Sequence, residues 1–204
     1  MTQRTVAVVS AGLSQPSSTR LLAGQLAEAA SQKLADDGTQ AKVMVIELRD
    51  LPHDIVNCLL TGFPSPALQR AIENVVGADG LIAVTPIFTA SYSGLFKSFF
   101  DVLDVGALEG MPTLIAATSG TARHSLALEH AIRPLFSYLR AETVPTPVYA
   151  ASPDWGPGSA DNQALHQRIE RAGGELARAI ERSDRPAQRD IYATPTTFEN
   201  LLTG

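Results

Sequence analysis

The chain has 204 residues, 45% of them hydrophobic and 18% charged, with a formal net charge of -5. That length and mix suit one globular domain with a sizeable core and exclude a disordered chain. The acidic balance and the lack of any Lys/Arg cluster exclude a surface built for nucleic acid.

The single cysteine, Cys58, makes no internal disulfide, so a reducing compartment is expected and the thiol reads as a small apolar filler. The apolar stretch near the N-terminus, Val6 to Val9, is strand-sized and too short for a signal peptide. No run approaches the ~18 apolar residues of a spanning helix, so a cytoplasmic protein with no membrane contact is expected.

Taken in chain order, short apolar runs alternate with helical patterns. Thr5–Val9 reads as a buried strand. Ser17–Leu34 reads as a helix with Leu22, Leu26, Ala29, Ala30 and Leu34 on one face. Lys42–Leu48 is a second strand, and Asp50 to Ser65 has no clear period. Pro66–Val76 is a helix and Gly80–Thr85 the third strand. Tyr92–Leu103 is a strongly apolar helix, and Pro112–Thr118 the fourth strand. Ser125–Leu139 is helical by pattern, and Val144–Ala150 is the fifth strand. Leu165, Ile169, Ala172, Leu176 and Ile180 stripe a last helix. Alternation of nearly continuous apolar strands with helices predicts a parallel α/β sheet covered on both faces. Five such units predict the flavodoxin-like order 2-1-3-4-5.

Ligands of such sheets bind outside the carboxyl ends of the strands, near the switch in strand order. Three loops fall there. The first, Ser10 to Arg20, carries Ser14, Ser17, Ser18 and Thr19 and enters a helix N-terminus, where free N–H groups and the helix dipole favour an anion. Neutral hydroxyl donors suit a flavin monophosphate, and plain helix capping by Ser17 or Ser18 is the other reading. No Walker A lysine and no GxGxxG follow the first strand. In the second loop Pro86 stiffens the exit, Ile87 and Phe88 offer apolar surface for a flat ring, and Thr89 offers a polar partner. Taken by itself, this loop reads first as one in which Phe88 and Tyr92 are ordinary core aromatics. The third loop, Thr118-Ser119-Gly120-Thr121, lets backbone approach a ligand closely, with Arg123 and His124 just beyond and Arg123 placed to meet the phosphate of a nicotinamide donor. An ordinary Ser/Gly turn with exposed charges is the alternative.

These loops resemble the NAD(P)H-dependent FMN reductase family, nearest the reductases that serve two-component monooxygenases, including the alkanesulfonate type. The resemblance spans roughly residues 4 to 150. Ser17-Ser18-Thr19 matches the family's phosphate element. Thr85-Pro86-Ile87-Phe88 and Tyr92-Ser93-Gly94-Leu95-Phe96-Lys97 match its second loop, and Thr118-Ser119-Gly120-Thr121 its third. The resemblance implies hydride transfer from NADH or NADPH to FMN, a homodimer or homotetramer, and a monooxygenase that receives reduced flavin. The chain after Arg182 is polar, with Pro186 and Pro195, so an FMN-binding domain over residues 1–184 followed by a tail over 185–204 is expected. Gln15 stands where many relatives have arginine, so the phosphate rests on neutral donors, with Arg20 nearby. His130 falls where alkanesulfonate-type relatives insert an aromatic that makes a π-bulge linked to flavin exchange. Pro134, four residues on, cannot donate to the His130 carbonyl, which independently predicts a break in the helix.

No catalytic side chain is expected, because the cofactor carries the reactivity and the protein binds and orients. Neither a metal-ligand cluster nor a Ser/His/Asp arrangement is legible. Two other readings share the loops: a tightly flavin-bound reductase of quinones, azo compounds or metal ions, and a non-enzymatic electron carrier.

Overall fold

The computed structural model describes residues 2–156 and 160–185. The expected tail therefore lies, apart from Arg185, outside the described residues.

The sheet is built on strands whose apolar runs are buried on both faces. In β1 (Thr2–Ser10), Val6 to Val9 are wholly buried, and β3 (Gly80–Phe88) and β5 (Pro112–Ser119) are buried almost throughout. β2 (Thr39–Glu47) lies at the edge, with Val43 and Val45 partly exposed. β2, β1, β3 and β5 run parallel in that order, and the last place is shared by two short pieces that both pair with β5. These are β6 (Glu142–Thr143) and β7 (Val148–Ala151). The expected 2-1-3-4-5 order is thus present, but the expected single strand Val144–Ala150 is broken. Pro145 and Pro147 lie in the gap and have no N–H for a ladder.

One face is covered by α1 (Ser18–Asp36) and α6 (Ala160–Arg182), which bury Leu22, Leu26, Leu34, Ile169, Leu176 and Ile180 against Val6, Val8, Ile82 and Leu114. The other is covered by α2 (Pro52–Thr61), α3 (Pro66–Val76), α4 (Gly94–Asp101) and α5 (Arg133–Tyr138). At its centre Phe96, Phe100 and Phe136 meet edge to face, with centroids 4.8 to 6.2 Å apart. Each such pair is worth about 0.5–1.5 kcal/mol beyond its buried area.

Three local expectations change. The segment from Asp50 to Ser65 holds α2, which starts on Pro52 and stops at Gly62 with φ +78°. It buries Ile55 and Cys58 while Val56, Leu59 and Leu60 face outward, so its apolar residues do not mark the buried face alone. The helix expected over Tyr92–Leu103 is shorter, because Tyr92 belongs to β4 (Ser91–Tyr92), which folds back antiparallel on β3. Thr89 and Ala90 make the two-residue turn, both at positive φ, as a hairpin of this length requires. The helix expected over Ser125–Leu139 is interrupted by one π-helical turn, Leu128–Ile132, in which the Arg133 N–H reaches back to the Leu128 carbonyl. His130 lies in that turn and Pro134 just after it, so the predicted break is present.

Where α1 crosses α6, Gly173 is the closest approach. A Cβ there would lie 2.8 Å from the Ala29 Cβ, 2.8 Å from the Ala30 N and 2.9 Å from the Ala29 C. Backbone atoms cannot yield as a flexible side-chain end can. Gly173→Ala is therefore expected to destabilise by about 1–2 kcal/mol, overpacking outweighing the helix gain of about 1 kcal/mol. The melting temperature should fall by about 3–6 °C. A melting temperature that rises, as helix propensity alone demands, would contradict this packing.

Candidate functional site

Strand register brings the three loops side by side. Ser10 pairs with Val84, and Pro86 with Thr118, so β1, β3 and β5 end along one carboxyl edge. Ala11 N–H donates to the Val84 carbonyl at 3.0 Å and carries the pairing one residue further.

The first loop is drawn tightly on itself. Ser10 is 1% exposed, and its Oγ has no hydrogen-bond partner among the described residues. Gly12 is buried, and a Cβ there would lie 2.1 Å from the Ser17 Oγ. Ser17 caps α1, its Oγ accepting from the Arg20 N–H at 3.2 Å. The capping reading is thus correct for Ser17, whose hydroxyl hydrogen is still free to donate to an anion. Ser14 and Ser18 are exposed. Thr19 is buried, and its Oγ1 lies 2.8 Å from the Thr118 Oγ1. That contact joins the first loop to the third.

The first turn of α1 carries no acidic side chain to compete with an anion. Arg20 is engaged, its Nε lying 3.4 Å from the Glu47 Oε1. Sequence reasoning missed Arg49, which arrives from the end of β2 and donates to the Ser14 carbonyl at 2.9 Å. Nothing in its local sequence signals the contact, because strand pairing creates it.

In the second loop the hairpin separates the expected residues by face. Ile87 is buried, whereas Phe88 is 46% exposed and is not a core aromatic. Tyr92 is half-buried, its ring 6.1 Å from Phe96. Thr85 fixes the hairpin from below: its Oγ1 accepts from the Ser93 N–H at 3.0 Å and donates to the Pro86 carbonyl at 2.9 Å. Thr89 is exposed at the tip. The π-helical turn packs against β4, so His130, itself exposed, is close in the fold to this hairpin.

In the third loop Ser119 is half-buried and Gly120 exposed. Thr121 caps the turn Ala122–His124, and its carbonyl accepts from the Tyr149 hydroxyl at 2.7 Å. Arg123 is exposed beside it.

Other features carry no chemistry of this edge. A cavity of about 620 Å³ lies between α4 and α5, lined by Phe100, Leu103, Pro134, Leu135 and Tyr138, and none of the expected site residues lines it. Burial pushes the Cys58 thiol up, which disfavours the reactive thiolate. Among the described residues no group of three His, Cys, Asp or Glu is placed to hold a metal ion, and no helix is long and apolar enough to cross a membrane.

The geometry fits a flavin phosphate. A close-approach loop, an orphaned buried hydroxyl and a helix N-terminus without acidic neighbours lie together, flanked by an exposed aromatic and a Ser-Gly turn.

The chain is similar to known proteins in sequence and fold. The family model described as NADPH-dependent FMN reductase matches residues 4–156. A Pseudomonas aeruginosa FMN reductase (NADPH) is 37% identical over 172 residues, covering 84% of this chain and 90% of that protein. An NADH-dependent FMN reductase of Pseudomonas putida is 37% identical over 164 residues, covering 80% and 86%. The structure of an oxidoreductase from Corynebacterium diphtheriae superposes with a TM-score of 0.86 at 47% identity, over 90% of this chain and all of that one. An apo NADH:FMN oxidoreductase superposes with a TM-score of 0.72 at 28% identity, over 91% and 94%. With the motifs in order on a flavodoxin-like sheet and a model match over residues 4–156, the chain belongs to the NADPH-dependent FMN reductase family.

Proposed function

We propose that this chain is an NAD(P)H-dependent FMN reductase, moving a hydride from NADH or NADPH to FMN. The observation that carries the reading is the gathering of three loops on one sheet edge, the first and third joined by the buried Thr19–Thr118 contact and the second set between them by strand order. Ser10, Ser14, Ser17, Ser18 and Thr19, with the first N–H groups of α1, are assigned to the phosphate. Pro86, Ile87, Phe88 and Thr89 of the second loop, with Thr118, Ser119 and Gly120 of the third, are assigned to the ring. The bound flavin supplies the redox chemistry. The chain's own work is to hold the phosphate with neutral donors, to orient the ring, and to leave one side open for the nicotinamide near Arg123.

Relatives named for NADPH and for NADH both match this chain, so the donor is assigned only as a nicotinamide. Use of FMN as an exchanging substrate, with delivery to a monooxygenase, is supported by the open edge at Phe88 and by the π-helical turn beside the hairpin. A homo-oligomer is the reading for the exposed side chains of Leu60, Phe63, Val105 and Tyr138, which offer apolar surface to a second copy.

Purified protein should oxidise NADH or NADPH at a rate that rises and saturates with added FMN. Absence of nicotinamide oxidation with FMN present would overturn the proposal. A rate independent of added FMN, with flavin retained through gel filtration, would favour the tightly bound alternative. Gly12→Ala, which drives a methyl into Ser17, should raise the Kd for FMN at least about tenfold, or about 1.4 kcal/mol, by flavin fluorescence titration. An unchanged Kd would remove the first loop from the site.

A further inference from the structure

Arg49 lies in the turn Leu48–Asp50, two residues beyond the end of β2 and far in sequence from all three ligand loops. Its guanidinium reaches sideways to the first loop. Nη1 donates to the Ser14 carbonyl at 2.9 Å. With its side-chain carbonyl turned toward the guanidinium, Gln15 accepts from Nη2 at 3.1 Å and from Nη1 at 3.2 Å. Nη2 also pairs with Glu47. Glu47 is shared, because its other oxygen faces the Arg20 Nε in the first turn of α1. Register places Glu47 beside Ser10, whose buried hydroxyl has no partner among the described residues.

This cluster ties the ends of β1 and β2, the Ser14-Gln15 bend and the start of α1 into one unit. The Arg49 side chain is 19% exposed, so it is built into the edge. An exposed ion pair is worth little, but a guanidinium holding a backbone carbonyl constrains a loop. Two arginines and one glutamate leave one net positive charge next to the N-terminus of α1. Arg49 touches none of the residues assigned to the flavin ring.

We propose that Arg49 is a positioning residue for the phosphate loop. It holds the Ser14-Gln15 bend in the shape that turns the Ser17–Thr19 donors toward a phosphate. The net charge of the Arg20–Glu47–Arg49 cluster makes the site prefer a phosphorylated flavin over the same flavin without its phosphate. This rests on the FMN reductase reading and adds the means by which the site selects FMN.

The test compares FMN and riboflavin on the full chain by fluorescence titration, alongside steady-state rates. Arg49→Met should raise both the Kd and the KM for FMN at least about tenfold, while kcat at saturating FMN falls no more than about twofold. The riboflavin Kd should stay within about twofold of the parent value. Arg49→Lys, which keeps the charge and one donor, should recover part of the FMN affinity. Glu47→Gln, which keeps a hydrogen-bonding group and removes the negative charge, should raise the ratio of FMN to riboflavin affinity. If Arg49→Met does not fold, the lysine and Glu47→Gln variants carry the comparison. Equal loss of both flavins in Arg49→Met, or unchanged FMN binding, overturns the role. A fall in the ratio for Glu47→Gln overturns the charge argument. A parent chain that neither binds FMN nor oxidises a nicotinamide overturns the functional reading itself, and this assignment with it.

Discussion

Two threonine hydroxyls, 99 positions apart, meet at 2.8 Å beneath the carboxyl edge of the sheet. Thr19 is 2% exposed and Thr118 3% exposed, so neither has bulk water as a substitute partner. Separating them strands a buried hydroxyl on each side, at about 1–3 kcal/mol for a group left unpaired. The contact therefore binds the start of α1 to the end of β5, and so the proposed phosphate loop to the third ligand loop. The second loop lies between them by strand order alone, since β3 pairs with both β1 and β5. The geometry of the proposed flavin site follows from this arrangement and from few other constraints.

The charge pattern fits the same picture. Negative charge is absent from the first turn of α1, while Glu47 offsets two arginines at its flank. A phosphate held this way meets neutral donors and a modest positive field rather than a direct ion pair. Such a site suits a ligand that must leave as well as bind, because fully desolvated ion pairs are costly to break.

Much of this was legible in the residues. The continuous apolar runs of β1, β3 and β5 mark strands buried on both faces, and the stripes of α1 and α6 mark helices packed on one of them. The hydroxyl-rich loop after Ser10 and the Thr-Ser-Gly-Thr turn after β5 could be placed on one edge by topology alone. What escaped were features decided by tertiary contact. α2 turns Val56, Leu59 and Leu60 outward, so its apolar residues do not mark the buried face alone. The hairpin at Thr89-Ala90 puts two non-glycine residues at positive φ, against the usual turn chemistry. Arg49 reaches Ser14 only because β2 pairs with β1, and Arg20 turns to Glu47 for the same reason. The π-helical turn is the instructive opposite case: Pro134 removes one specific donor, and that alone places the break next to His130.

The most direct measurement is a double-mutant cycle on Thr19→Val and Thr118→Val, read as the Kd for FMN. If the hydroxyl pair holds the two loops in register, each single variant strands its partner and weakens binding. The double variant should then lose little more than the worse single, with a coupling of about 1 kcal/mol or more. Strictly additive losses, or three variants that bind FMN as the parent does, would contradict the view that this contact organises the site.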